Sequence, residues 1–335
     1  MTGVLIVNLG TPDSPRVPDV RKYLREFLMD GRVIDFPFIP RWALVNLIIA
    51  PFRAPKSAKI YKELWTENGS PLKIYGEANE KQLQTALGNE YVVKLAMRYQ
   101  SPSIENGLRE FQKMGLKNII VIPFFPQYAS ASTGSVYEEV MRIVTKWQVI
   151  PEIKIKNYFY HYPKFIKAFA NNARKHLDKE SFEHIVFSYH GLPARQIRKG
   201  DCTGETCKLG SCCDTIHALN QHCYRAQCFE TTRLLVAELG LEKGTYTTCF
   251  QSRLGRDPWV QPYTDDVVKD LAEKGIKRVL AFSPAFVADC LETTIEVAEE
   301  YKEMFEEKGG EHWVLVESLN DSEAWIDLLV DLVKE

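Results

Sequence analysis

The 335-residue sequence has no long run of basic residues, and its 42 lysines and arginines nearly balance its 44 aspartates and glutamates, leaving a formal charge of −2. Nucleic-acid affinity rests on clustered cations, so no nucleic acid is expected among the partners. There is no apolar run of the ~20 residues that a membrane-spanning helix needs. The most apolar segment, 42–52, opens on Trp42, ends on Phe52 and is interrupted by Asn46 and Pro51. The start, Met1-Thr2-Gly3, passes straight into an apolar run at Val4 without the charged and apolar regions of a signal peptide, so a cytoplasmic protein is expected. With 45% apolar and 26% charged residues, the composition excludes disorder. The length suits two domains of about 150 residues each.

Short β-branched runs alternate with stretches of helical period, the pattern of an α/β protein with mainly parallel sheets. Strands are predicted over 4–8, 91–97, 118–123, 153–157, 184–189, 245–250, 277–283 and 313–317. Helices are predicted over 17–29, 103–114, 164–177, 264–273 and 291–306. Ser101-Pro102 reads as a capping hydroxyl followed by a proline in the first helical turn.

Two internal echoes organise these elements. Val7-Asn8-Leu9-Gly10-Thr11-Pro12 echoes Ser188-Tyr189-His190-Gly191-Leu192-Pro193, and Gly115-Leu116-Lys117 echoes Gly275-Ile276-Lys277. They imply two similar doubly wound, Rossmann-like halves in tandem, 1–150 and 151–310. A C-terminal strand and helix, 311–335, are expected to pack back on the N-terminal half. Open α/β sheets bind ligands beyond the C-terminal ends of their strands, so a cleft between the halves is the expected site.

His190 follows an apolar strand and precedes a glycine, a turn position from which an imidazole can accept a proton near neutral pH or ligate a metal. The plain alternative is a histidine that only caps the strand by hydrogen bonding. Further on, Glu292, Glu296 and Glu300 recur at every fourth residue and lay a ladder of carboxylates along one helix face. Such a ladder suits the passage of a divalent cation or of protons, the alternative for Glu300 being a solvated face.

The run from Phe187 to Pro193 resembles the ferrochelatase signature around the active-site histidine, and Ala288-Asp289-Cys290-Leu291-Glu292-Thr293 resembles that family's acidic motif. Phe250-Gln251-Ser252-Arg253, Asp257-Pro258-Trp259 and Pro262-Tyr263-Thr264 resemble its intervening block. Asn8-Leu9-Gly10-Thr11-Pro12, Asn68-Gly69-Ser70-Pro71, Met97-Arg98-Tyr99, Pro126-Gln127-Tyr128 and Ser132-Thr133-Gly134-Ser135 match it as well, all in family order. The resemblance implies the two-halved chelatase fold and insertion of ferrous iron into a porphyrin, without an organic cofactor. His190 would take the pyrrole protons or hold the iron, and Glu292 would face it as metal ligand or proton partner. Ser70 and Arg98 would meet propionates or ring-edge groups, and Tyr128 and Trp259 would supply apolar walls, with packing alone the alternative for Trp259. The segment from Trp42 to Phe52 resembles the apolar lip over the family's pocket, which can also touch a membrane surface. Leu9 stands where some relatives that use coproporphyrin carry tyrosine, and points to protoporphyrin IX. Cys290 stands where members vary between histidine and cysteine, so it is not expected to bind the metal directly. The competing readings are a coproporphyrin ferrochelatase, a related cobalt chelatase, a non-catalytic haem- or metal-binding protein and an iron–sulfur redox sensor. The last two leave the glutamate ladder unexplained.

Six of the eight cysteines fall between Cys202 and Cys228. A cytoplasmic protein rarely uses that density for disulfides, so metal binding is the default. The region 202–223 looks like an insertion relative to simpler ferrochelatases, and some members hold a two-iron, two-sulfur cluster, for which four thiolates suffice. The expected ligands are Cys207, Cys212, Cys213 and Cys223, with Cys202 as alternate and Cys228 as a structural residue on a helix. A zinc site is the alternative.

Overall fold

Val4, Leu5, Ile6 and Val7 are all completely buried. A strand covered on both faces hides consecutive residues in this way. The computed structural model, which describes residues 1–335 except Leu254 and Arg256, makes that strand the centre of a parallel sheet. β1 (Thr2–Gly10) pairs with β2 (Tyr91–Tyr99) on one side and β3 (Asn118–Pro123) on the other, and β4 (Glu152–Ile155) closes the order β2-β1-β3-β4. A second parallel sheet, built from β5 (His184–His190), β6 (Tyr246–Gln251), β7 (Arg278–Phe282) and β8 (His312–Leu315), has the order β6-β5-β7-β8.

The two orders are the same, as a tandem α/β protein requires, and the sequence echoes fall at matching places. Leu9 is the penultimate residue of β1 and His190 the last of β5, each strand lying inside its sheet. Gly115 and Gly275, which stand just before β3 and β7, both take a left-handed backbone, with φ of 64° and 86°. Glycine reaches that conformation without the steric cost a Cβ would add.

The chain divides into one unit of residues 1–125, 129–158 and 321–335, and another of 126–128 and 159–320. The C-terminal segment, expected to return as one piece to the N-terminal half, is itself divided. The β8 strand stays with the second sheet, because its backbone pairs with β7. The helix Glu323–Lys334 joins the first unit, where Trp325 is fully buried with its ring 5.2 Å from that of Phe124.

Two local expectations are corrected. Ser101-Pro102 is a turn with a cis peptide, and the helix Ile104–Lys113 is capped by Ser103, whose hydroxyl accepts from the Asn106 N–H. The segment read as one helix over 291–306 is a π-helix, Glu292–Glu300, followed by an α-helix, Tyr301–Glu307. Its i→i+5 backbone bonds widen the turn, a geometry that concentrates at functional sites. The segment 42–52 runs from the helix Phe38–Ala43 through a π-helix, Leu44–Ile49, into the helix Ala50–Leu64. Among the described residues no helix is long and apolar enough to cross a membrane.

Candidate functional site

The apolar strand β5 delivers His190 to a turn that is stitched down on every side. His190 lies in register with Gln251 of β6, and the Gly191 N–H donates to the Gln251 carbonyl at 2.8 Å. A Cβ at position 191 would stand 2.6 Å from that carbonyl and 3.2 Å from the Trp259 ring, so only glycine fits. Val260 donates to the Leu192 carbonyl and Ala194 to that of Pro258, which holds Trp259 over the turn. His190 Nδ1 lies 2.7 Å from the carbonyl oxygen of Gly191. A carbonyl only accepts, so Nδ1 carries the hydrogen and the neutral ring presents the Nε2 lone pair. The backbone oxygen of His190 accepts from the buried Tyr224 hydroxyl at 2.8 Å.

Gln251 connects this turn to the π-helix. Its amide oxygen accepts from Ser188, and its amide N–H groups donate to the Glu292 carbonyl at 3.0 Å and to Glu296 at 3.2 Å. Glu292 is half-buried beside the Cys290 thiol. Burial pushes that thiol well up, and the Glu292 charge adds to the effect, so Cys290 stays protonated. Glu296, expected on a metal or proton path, accepts from Gln251, from the Ser252 N–H and hydroxyl, and from the Tyr301 hydroxyl. With both carboxylate oxygens engaged, it acts as an anchor of the π-helix to the end of β6. Glu300 is exposed at the outer end.

The helix Tyr224–Leu239 gathers the next set of groups. Its N-cap is Cys223, and the backbone N–H groups of Arg225 and Ala226 face that sulfur without closing a capping hydrogen bond. The Cys213 thiol faces Cys223; their hydrogen bond, ahead of burial, pushes Cys213 up and holds Cys223 below the usual thiol range. Cys212 Sγ is 3.9 Å from Cys213 Sγ and accepts from the Lys208 N–H at 3.3 Å. Burial raises Cys207, and the charges of Cys212, Cys213 and Asp201 add to it. The Asp201 carboxyl, drawn down to about 2 by the Cys207 N–H and the Thr203 hydroxyl, ties this loop together. Cys207, Cys212, Cys213 and Cys223 therefore form one neighbourhood, while Cys202 lies exposed against the Gly200 carbonyl and Cys228 is buried within the helix. The thiols are gathered but not at coordinating geometry: among the described residues no group of three or more His, Cys, Asp or Glu side chains is arranged to hold a metal ion. Tyr128 is anchored to the same helix, its N–H donating to Gln227 at 2.6 Å, with its ring edge-on to His222.

In the first unit Leu9 is half-buried at the end of β1. Ser70, expected at a propionate, is only 2% exposed and accepts from the Thr11 hydroxyl at 3.0 Å, which ties a helix start to the β1 turn. Arg98, expected at the same kind of group, is neutralised internally. It pairs with Asp30 at 2.8 Å, the side chains being 15% and 5% exposed, and donates to Ser135 at 2.6 Å. Burial alone would raise the Asp30 carboxyl. Hydrogen bonds from Ser135 and the Arg32 N–H, with Arg98 and the Tyr99 hydroxyl, outweigh it and hold the group below the usual carboxylate range.

Sequence reasoning did not single out Gln251, Tyr224 or Asp30. A glutamine at the end of an apolar strand was a readable signal for the first. Asp30 and Tyr224 carry none, because their partners are distant in the chain.

The ferrochelatase family model matches residues 1–335. The chain is 46% identical to the ferrochelatase of Legionella pneumophila (strain Lens), covering 99% of this chain and 98% of that one. It is 41% identical to the ferrochelatase of Coxiella burnetii (strain Dugway 5J108-111), over 99% and 93% of the two chains. Among solved structures it resembles SirB from Bacillus subtilis with Fe3+, with a TM-score of 0.53 at 14% identity, covering 100% of this chain and 94% of that one. That likeness bears on the chelatase fold.

Asp30 contributes stability that is present above its unfolded pKa of about 3.9 and is lost as pH falls through its lower folded value. The free energy of urea unfolding should therefore decline below about pH 4. Asp30→Asn should shrink that decline and lower neutral-pH stability by about 3–5 kcal/mol, since Arg98 is left buried without its counter-charge. Equal acid slopes in the two proteins would contradict this account.

Proposed function

The chain belongs to the ferrochelatase family: it is a metal-chelating lyase that inserts ferrous iron into a porphyrin for haem synthesis, and we propose that it takes protoporphyrin IX and strips its pyrrole protons with His190. The observation that carries the assignment is the Nδ1 bond to Gly191, which leaves Nε2 as the basic face of the ring. Two N–H protons must leave the porphyrin as the metal enters. His190 accepts one, and the Glu292 carboxylate takes the other or meets the iron on its way in. Leu9, Tyr128 and Trp259 are assigned to the apolar walls, and the aliphatic Leu9 favours protoporphyrin over the more acidic coproporphyrin. Holding the ring bent toward the metallated shape favours the transition state over the flat substrate.

The four gathered thiols suit a two-iron, two-sulfur cluster in their donor chemistry. Cys207, Cys212, Cys213 and Cys223 would hold it, and a bound cluster would supply a site of one-electron redox chemistry. Zinc is the alternative for the same residues. The exposed apolar side chains of Ile39, Leu47, Ile48 and Phe52 support a peripheral membrane contact near the segment 42–52, from which a greasy substrate would arrive.

His190→Ala should abolish metal insertion, read as loss of porphyrin fluorescence with ferrous iron under anoxia, while porphyrin binding survives. Glu292→Gln should do the same, whereas Glu300→Gln should raise the iron concentration needed for half-maximal rate. Near-normal turnover by His190→Ala would defeat the mechanism and leave the family assignment standing. Running protoporphyrin and coproporphyrin side by side decides the ring.

Protein purified anaerobically should carry iron and acid-labile sulfide in equal amounts, and Cys207→Ser should lose both while Cys228→Ser retains them. One zinc per colourless chain would move the assignment to the alternative.

Co-sedimentation with vesicles containing anionic lipid should fall several-fold when Ile39 and Phe52 are both replaced by serine. Unchanged binding would remove the membrane reading.

A further inference from the structure

Cys223 is the N-cap position of a helix whose first two residues, Tyr224 and Arg225, reach out to the His190 carbonyl and to the loops around it. Tyr224, 7% exposed, donates its hydroxyl to the His190 backbone carbonyl at 2.8 Å. Arg225, 9% exposed, donates to the Gln261 carbonyl at 3.1 Å and to the Gly210 carbonyl at 3.3 Å. Gly210 lies between Cys207 and Cys212, and Gln261 lies two residues past Trp259, which covers Gly191. The first helical turn thus touches the thiol-rich loop at one end and the imidazole-bearing turn at the other.

We infer that Tyr224 is a positioning residue that couples the state of the Cys207–Cys223 segment to the orientation of the His190 imidazole. The proposal rests on the reading of His190 as the base. Its physical content is a short rigid lever. His190 Nδ1 is fastened to the neighbouring Gly191 carbonyl, so ring orientation follows the backbone of residues 190 and 191. That backbone is held by the Tyr224 hydroxyl at the His190 carbonyl and by the Gln251 carbonyl at the Gly191 N–H. The Cys223 carbonyl accepts the first backbone bond of the helix from the Gln227 N–H at 3.0 Å, so a displacement of Cys223 by oxidation or metal capture moves the turn from which Tyr224 reaches out.

The test uses the full-length protein as purified, with protoporphyrin and ferrous iron under anoxia. Tyr224→Phe removes one oxygen and keeps the ring. Its porphyrin KM should stay within about twofold while kcat falls about tenfold, the pattern of a misplaced reacting group with binding intact. With histidine labelled at Cε1, the His190 resonance, identified by its absence in His190→Ala, should move at fixed pH in Tyr224→Phe. The resonances of His176 and His312 should not. Cys223→Ser should also lower kcat, and adding it to Tyr224→Phe should lower kcat no further, because both act through one bond. Losses that multiply, or an unmoved His190 resonance, overturn the coupling while His190→Ala remains inactive and the base assignment stands. An active His190→Ala variant removes the base and the lever together. Melting temperatures recorded for each variant separate these outcomes from loss of fold, and the resonance shift is read on folded protein whether or not it turns over.

Discussion

A buried donor or acceptor left without a partner costs about 1–3 kcal/mol, so a helix that turns a polar face inward has to be met by matching groups along its length. The Tyr224–Leu239 helix is built on that requirement. Tyr224, Arg225, Gln227, Thr231 and Thr232 are all buried on it. Tyr224 is met by His190, Arg225 by Gly210 and Gln261, and Gln227 by Tyr128 and Gln221. Thr231 is met by Gln127, and Thr232 by Tyr189 and Thr248. The imidazole turn, the thiol-rich loop and Tyr128 are therefore positioned by one element. An apolar helix in its place would bury as well and position nothing.

What was legible in the sequence follows from how burial writes itself there. The eight strands of the described residues were readable: the inner ones, covered on both faces, carry nearly unbroken apolar runs, 118–123 being read to the residue, and the edge strand β4 shows as an alternation of charged and apolar residues. The helices Val17–Leu28, Ile104–Lys113, Pro163–Leu177 and Thr264–Glu273, each with one apolar stripe, were equally plain, while Ser135–Val144, striped in the same way, was not read. The Tyr224–Leu239 helix carries polar residues inward and has no stripe to find, so only Cys228 was placed on a helix there. The π-helix Glu292–Glu300 was read as α because side-chain spacing does not reveal which backbone bonds close. His190 and Glu292 stood out through their turn and motif. The engagement of Ser70, Arg98 and Glu296 by internal partners could not be seen, since Asp30 and Arg98 are 68 residues apart in the chain and Thr11 and Ser70 are 59. A polar side chain in a family motif reads the same whether it faces a substrate or fastens the fold.

The tandem arrangement offers an internal comparison on the same point. In each half a helix follows the first strand and leads to the second: Pro71–Leu87 between β1 and β2, Tyr224–Leu239 between β5 and β6. In each half the start of that helix is tied back to the turn after the first strand, by Thr11 donating to the cap residue Ser70 and by Tyr224 donating to His190. The tie is therefore a feature of the repeated unit, and an architectural need explains its existence: a crossover helix has to be fixed against the strand it leaves. The two halves differ in what the tie holds. In the first, the residue matching His190 in the echo is the aliphatic Leu9, and the cap is a serine enclosed within the unit. In the second, the turn carries an imidazole and the cap is a cysteine among other thiols. The tie of the second half is made differently, by the first helical residue to a backbone carbonyl, and it lies between the thiol-rich loop and the imidazole turn, which is what the proposed coupling of Tyr224 uses.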